Sequence, residues 1–97
     1  MSGPLPRRVG IFGLGLMGAS LARGLKALDP APRVAAAEAR EEVRGRALAD
    51  GVADEAHDGP GEWLAACEVV VLCTPVAVIE ALLEPVSRRM GEGAVLT

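Results

Sequence analysis

The chain's 97 residues are 51% apolar and carry ten lysines and arginines against thirteen aspartates and glutamates, a formal net charge of −3: one small domain or part of one, not two. Acids and bases are interspersed, and the basic pairs Arg7-Arg8 and Arg88-Arg89 form no stripe, which argues against a nucleic-acid partner. No apolar run reaches the roughly 18 residues of a membrane span, and residues 1–8 lack the apolar centre of a leader peptide, so the cytoplasm is the expected compartment.

The first element is RVGIF, residues 8–12, a short apolar run that predicts a strand buried on both faces. Leu14, Met17, Leu21, Leu25 and Leu28 then recur at helical spacing, a stripe that predicts a helix closed by the prolines of DPAP. RVAAAEA, residues 33–39, reads as the second strand, although alanine is a poor strand former and only the alternating context favours it. Residues 41–50, with Val43, Ala47 and Leu48 on one side and Gly51 as the stop, read as the second helix.

GVADEAHDGPGE is irregular, with a short extended piece expected at residues 52–53 and His57 in a solvated loop. A helical turn is expected around residues 62–66. EVVVLCTP, residues 68–75, is the clearest strand and is expected at the centre of the sheet. Thr74 is placed to cap, and Pro75 to begin, a helix with apolar positions Val78, Ile79, Leu82, Leu83, Val86 and Met90, which Pro85 should kink or split. Gly91 and Gly93 end it, AVLT starts another strand, and the stop there reads as an interruption. Cys67 and Cys73 lack CxxC spacing and read as reduced core cysteines. The alternation predicts an α/β fold, a Rossmann-like doubly wound parallel sheet present in part, with residues 1–97 as its N-terminal dinucleotide-binding domain.

Gly13, Gly15 and Gly18 form G-x-G-x-x-G between the first strand and the first helix, where each has a distinct task. Gly13 makes the tight exit from the strand, Gly15 lets a pyrophosphate reach the backbone, and Gly18 lets helix and strand pack closely. The amides around Leu16 and Met17, at the positive end of the helix, would hold the phosphates. Glu38, 25 residues after Gly13, would accept the adenosine ribose hydroxyls and repel a 2′-phosphate, so NAD is expected ahead of NADP. Arg40 is the competing signal, since a guanidinium there can hold a 2′-phosphate. Thr74 and Pro75 end a strand on the same sheet edge and are expected beside the nicotinamide half. No metal site and no catalytic group stand out.

VGIFGLGLMGASLARGLK, GVADEA and VVVLCTPVAVIEALLEPV, in that order, resemble segments of the prephenate and arogenate dehydrogenases, and the likeness runs from Val9 to Thr97. The resemblance implies oxidative decarboxylation of prephenate or arogenate with hydride transfer to NAD in tyrosine biosynthesis. It also implies a small-molecule substrate, a homodimer at full length, and a helical C-terminal domain that this chain lacks. The family's catalytic histidine and arginine match no position here, so this part alone is expected to be inactive. The glycine loop is shared with hydroxyisobutyrate-type dehydrogenases and imino-acid reductases, and a nucleotide-binding module without chemistry is the remaining alternative.

Overall fold

The computed structural model describes residues 6–97; the residues before them, read above as lacking an apolar leader, lie outside the described part. Among these residues an all-parallel five-stranded sheet runs in the order β3-β2-β1-β4-β5. Its strands are β1 (Arg8–Phe12), β2 (Arg33–Ala37), β3 (Glu55–His57), β4 (Val69–Leu72) and β5 (Val95–Leu96). Helices α1 (Leu16–Lys26) and α2 (Glu41–Ala49) cover one face; a 3-10 turn (Glu62–Ala66) and α3 (Val76–Arg89) cover the other. This is the doubly wound α/β arrangement expected from the sequence, and no described helix is long and apolar enough to cross a membrane.

Alternation along the strands builds two cores back to back. Val9, Ile11, Val34 and Ala36 face α1 and α2 through Leu14, Ala22, Ala47 and Val52. Phe12, Ala35, Ala37 and Val70 face Leu64, Cys67 and Val86 on the opposite side. The alanines of β2 are therefore buried on both faces, where small side chains let helices approach the sheet, and burial overrides their weak strand propensity. Gly10 serves the same end in β1: a Cβ there would stand 3.1 Å from Cys67 Sγ and 3.2 Å from the ring of Trp63.

Several expectations need correction. β2 stops at Ala37, so Glu38 follows the strand instead of lying within it. The extended piece is Glu55–His57, not residues 52–53: the amides of Val52 and Ala53 both donate to the Ala47 carbonyl, at 2.9 and 3.2 Å, wrapping them back onto α2 beyond Gly51 (φ +71°). His57 is thus a strand residue, half-buried, its ring stacked on Trp63 at 4.7 Å. In α1 the core-facing residues are Gly18, Leu21, Ala22 and Leu25, whereas Met17 faces outward and Leu28 lies exposed beyond the helix end. β4 is interior, but β1 occupies the middle of the sheet. α3 passes through Pro85 as one helix: the carbonyl deprived of its donor belongs to Ala81, on the exposed side, where water can satisfy it.

The amino ends of the strands are tied by charge. Asp54 Oδ2 accepts from the Val34 amide at 2.7 Å and from Lys26 Nζ at 2.7 Å, while Lys26 Nζ also donates to the Pro32 carbonyl at 3.2 Å. Glu55 pairs with Arg8 and with Arg33 (3.3 Å) and bonds His57 (3.0 Å). Burial pushes both carboxyls up, but these bonds outweigh it and leave both below their usual range. The Asp-Glu pair of GVADEA is therefore a clasp at the amino edge of the sheet, opposite the glycine turn.

Asp54→Ala should leave the Val34 amide unpartnered and the Lys26 ammonium with the Pro32 carbonyl alone, and destabilise the fold by about 1–3 kcal/mol. A urea midpoint shifted down at unchanged slope would show it; an unchanged midpoint would mean the clasp carries no weight.

Candidate functional site

At the carboxyl edge of the sheet the chain leaves β1 through Gly13, whose φ of +90° is a left-handed conformation that suits glycine. Its amide donates to the Ala37 carbonyl at 2.8 Å, tying the turn to the end of β2. α1 then begins so close to the turn that a Cβ on Gly18 would lie 1.8 Å from the Gly13 carbonyl oxygen. Packing inside the protein therefore explains two of the three motif glycines. It does not explain Gly15, whose φ of −71° any residue adopts and whose added Cβ would meet nothing within 4 Å.

That empty space belongs to a groove of about 350 Å³ lined by Gly13, Gly15, Glu38, Arg40, Thr74 and Pro75. Six of the nine residues expected at the site thus share one cavity. Gly18 lies beneath it, and Leu16 lines an adjoining cleft between α1 and α2 that Gly15 and Arg40 also line. Met17 lines neither and is 78% exposed. Leu16, Met17 and Gly18 enter the reading through their amides: α1 is capped at Gly15 by no described side chain, has no acid in its first turn, and makes its first bond from Ala19 to Gly15 at 2.9 Å.

Glu38 is the one buried charged side chain among the described residues, 7% exposed. Its Oε1 accepts from the Leu14 amide (2.9 Å) and Arg40 Nη2 (3.2 Å), and its Oε2 from the Arg40 amide (3.0 Å) and Arg40 Nε (2.8 Å). The side-chain bond from Arg40, helped by the two backbone amides against the cost of burial, holds its carboxyl at about 2 instead of the usual 4.5. Glu38 and Arg40, opposed as signals in the sequence, are partners in space.

Thr74 does not cap α3. Pro75 is itself the cap residue, its ψ of 152° extended and not helical, so the helix starts at Val76. The Thr74 hydroxyl is buried with no partner among the described residues, in the wall of the groove. Burial pushes the thiols of Cys67 and Cys73 up, which leaves both as poor nucleophiles at neutral pH.

The opposite wall is Asp58, Gly59 and Pro60, which sequence reasoning passed over as irregular loop. Trp63 fixes it: Nε1 donates to the Gly59 carbonyl at 3.0 Å, and the ring lies stacked between His57 and Phe12, 5.5 Å from the latter. A lone tryptophan two residues after the glycines and proline of the loop was the available signal. No described cluster of His, Cys, Asp or Glu has the makings of a metal site.

Residues 8–96 match the family described as NADP oxidoreductase, coenzyme F420-dependent. A cyclohexadienyl dehydrogenase of Zymomonas mobilis is 33% identical over 86 residues, which are 86% of this chain and 29% of that protein. The arogenate dehydrogenase structure from Synechocystis superposes with a TM-score of 0.82 at 27% identity, over 92% of this chain and 31% of that one. A prephenate dehydrogenase from A. aeolicus, crystallised with hydroxyphenyl propionate and NAD+, shares the fold (TM-score 0.87, 22% identity, 98% of this chain and 34% of that one). The chain thus spans about a third of each of these proteins.

Two tests follow from the glycines and the carboxylate. Gly18→Ala should cost at least about 3 kcal/mol because the added carbon meets backbone, whereas Gly15→Ala should stay within about 1 kcal/mol of the parent; equal losses would overturn the distinction. Because the folded pKa of Glu38 is depressed, its contribution is full above about 4.5 and is lost as pH falls toward about 2. Urea midpoints from pH 6 to pH 2 should therefore fall across that interval, with a shallower fall in Glu38→Gln.

Proposed function

The chain belongs to the NADP oxidoreductase, coenzyme F420-dependent, family, and from that premise we propose that it is the NAD-binding part of a prephenate or arogenate dehydrogenase. The observation that carries the reading is Gly15: it lines the groove between two glycines that the fold itself requires, where a Cβ would meet nothing in the protein and would intrude only on a ligand entering there. A pyrophosphate fits that use, with the amides of Leu16, Met17 and Gly18 as its donors and no lysine needed.

The remaining wall suits the two ends of a dinucleotide. Glu38 faces the adenosine ribose, and its held negative charge favours NAD over a 2′-phosphorylated carrier. Arg40 stands beside it. Thr74 and Pro75 lie toward the nicotinamide ribose, where the unpartnered Thr74 hydroxyl would gain a hydrogen bond worth roughly 1 kcal/mol. Bound nicotinamide would accept a hydride from the substrate as carbon dioxide leaves; the residues of this chain bind and orient.

The substrate-binding groups belong, on this reading, to the further two-thirds of length that the relatives carry. The similarity to an arogenate and a cyclohexadienyl dehydrogenase supports a place in tyrosine biosynthesis; a cytoplasmic setting and a homodimer are part of the same proposal.

In the full-length protein, prephenate or arogenate should drive formation of reduced nicotinamide from NAD, read as absorbance. Gly15→Val should weaken NAD binding by at least about tenfold while thermal unfolding stays cooperative. Unchanged NAD affinity in that variant would remove the pyrophosphate from the turn, and turnover with other hydroxy acids only would move the chain to a neighbouring dehydrogenase.

A further inference from the structure

The four bonds on Glu38 raise a question of capacity. A carboxylate offers about four acceptor positions, two on each oxygen. All four are filled: the amides of Leu14 and Arg40 take one position on each oxygen, and Arg40 Nη2 and Nε take the others. A ribose diol arriving at Glu38 therefore finds no vacant lone pair.

The four donors differ in how readily they leave. The two amides belong to the turn after β1 and to the start of α2, so they are fixed with the fold. The Arg40 side chain is 57% exposed, bonds no described group other than Glu38, and borders both the groove and the cleft between α1 and α2. An ion pair with one partner so exposed is weak, because water solvates the guanidinium nearly as well as the carboxylate does. The two positions held by the weak donor are two in number, as are the hydroxyls of a ribose.

We propose that Arg40 is an intramolecular competitor for the adenosine ribose: its guanidinium occupies, in the free chain, the two acceptor positions on Glu38 that the diol needs, and it vacates them as the dinucleotide enters. The inference rests on the dinucleotide reading above. It changes the role of Arg40 from a cofactor contact to a residue that sets affinity through Glu38. The amide bonds from Leu14 and Arg40 keep the carboxylate aimed throughout, so what is exchanged is one pair of donors for another. A ligand with a single hydroxyl has only one of the two bonds to displace, so the competitor costs the diol more than it costs a deoxyribose.

The test is a ratio, which cancels any general effect of charge on phosphate binding. Calorimetry on the full chain with ADP and with 2′-deoxy-ADP gives the preference for the diol in the parent and in Arg40→Ala. Removing the competitor should raise that preference by about 2- to 5-fold, the range of an exposed ion pair. Arg40→Lys, which keeps the charge but has one nitrogen to offer, should raise it by less; this variant also answers the question should Arg40→Ala fail to fold. A preference unchanged or lowered in both variants, with ADP still bound, would overturn the competitor and leave the dinucleotide reading standing. Absence of ADP and NAD binding by the parent would overturn both.

Discussion

The contact between Gly18 and the Gly13 carbonyl sets the geometry of everything at the carboxyl edge of the sheet. Because no side-chain atom separates them, α1 starts against the end of β1 and its first amides open onto the groove. Gly13 in turn is bonded to the Ala37 carbonyl, and Leu14 to Glu38, so the turn, the helix start and the end of β2 form one rigid corner. A single methyl group at position 18 would separate these parts. The glycines are thus first a statement about distance, and only Gly15 has no task of that kind.

Glu38 shows how one side chain serves both ends. Its bond to the Leu14 amide satisfies a backbone donor of the glycine turn that would otherwise be buried unpaired, and this holds whether or not a ligand is present. The same burial that makes the bond valuable would push the carboxyl toward its neutral form. The donors around it reverse that tendency. A structural requirement therefore keeps in place the anion that a ribose would use, and the site is preorganised at the level of the fold.

Much of this was legible in the sequence, for reasons that can be named. β1, α1 and β4 were readable because buried parallel strands are written as unbroken apolar runs and because glycine at three fixed positions has few other uses. The pairing of Glu38 with Arg40 was not readable, since spacing alone cannot say whether two opposite charges address a ligand or each other. That Pro85 leaves α3 unsplit was not readable, because the cost of a proline depends on whether the orphaned carbonyl reaches water, which requires knowing the exposed face. Residues 52–57 misled because two amides turned back onto α2, a local closure that shifted the strand by three positions. The wall formed by residues 58–60 was hidden for a related reason: its order comes from an aromatic ring five residues from its start, and irregular backbone carries no periodicity to read.

That ring has an optical consequence. Trp63 is the only tryptophan and the chain has no tyrosine, so it is the sole strong ultraviolet emitter in these 97 residues. It lies flat against an imidazole on one side and bonds the loop that walls the groove. Its emission therefore reports on that loop with no contribution from elsewhere in the chain. The fold carries its own fluorophore at the edge of its cavity, and any movement of the wall will be visible as light without a label.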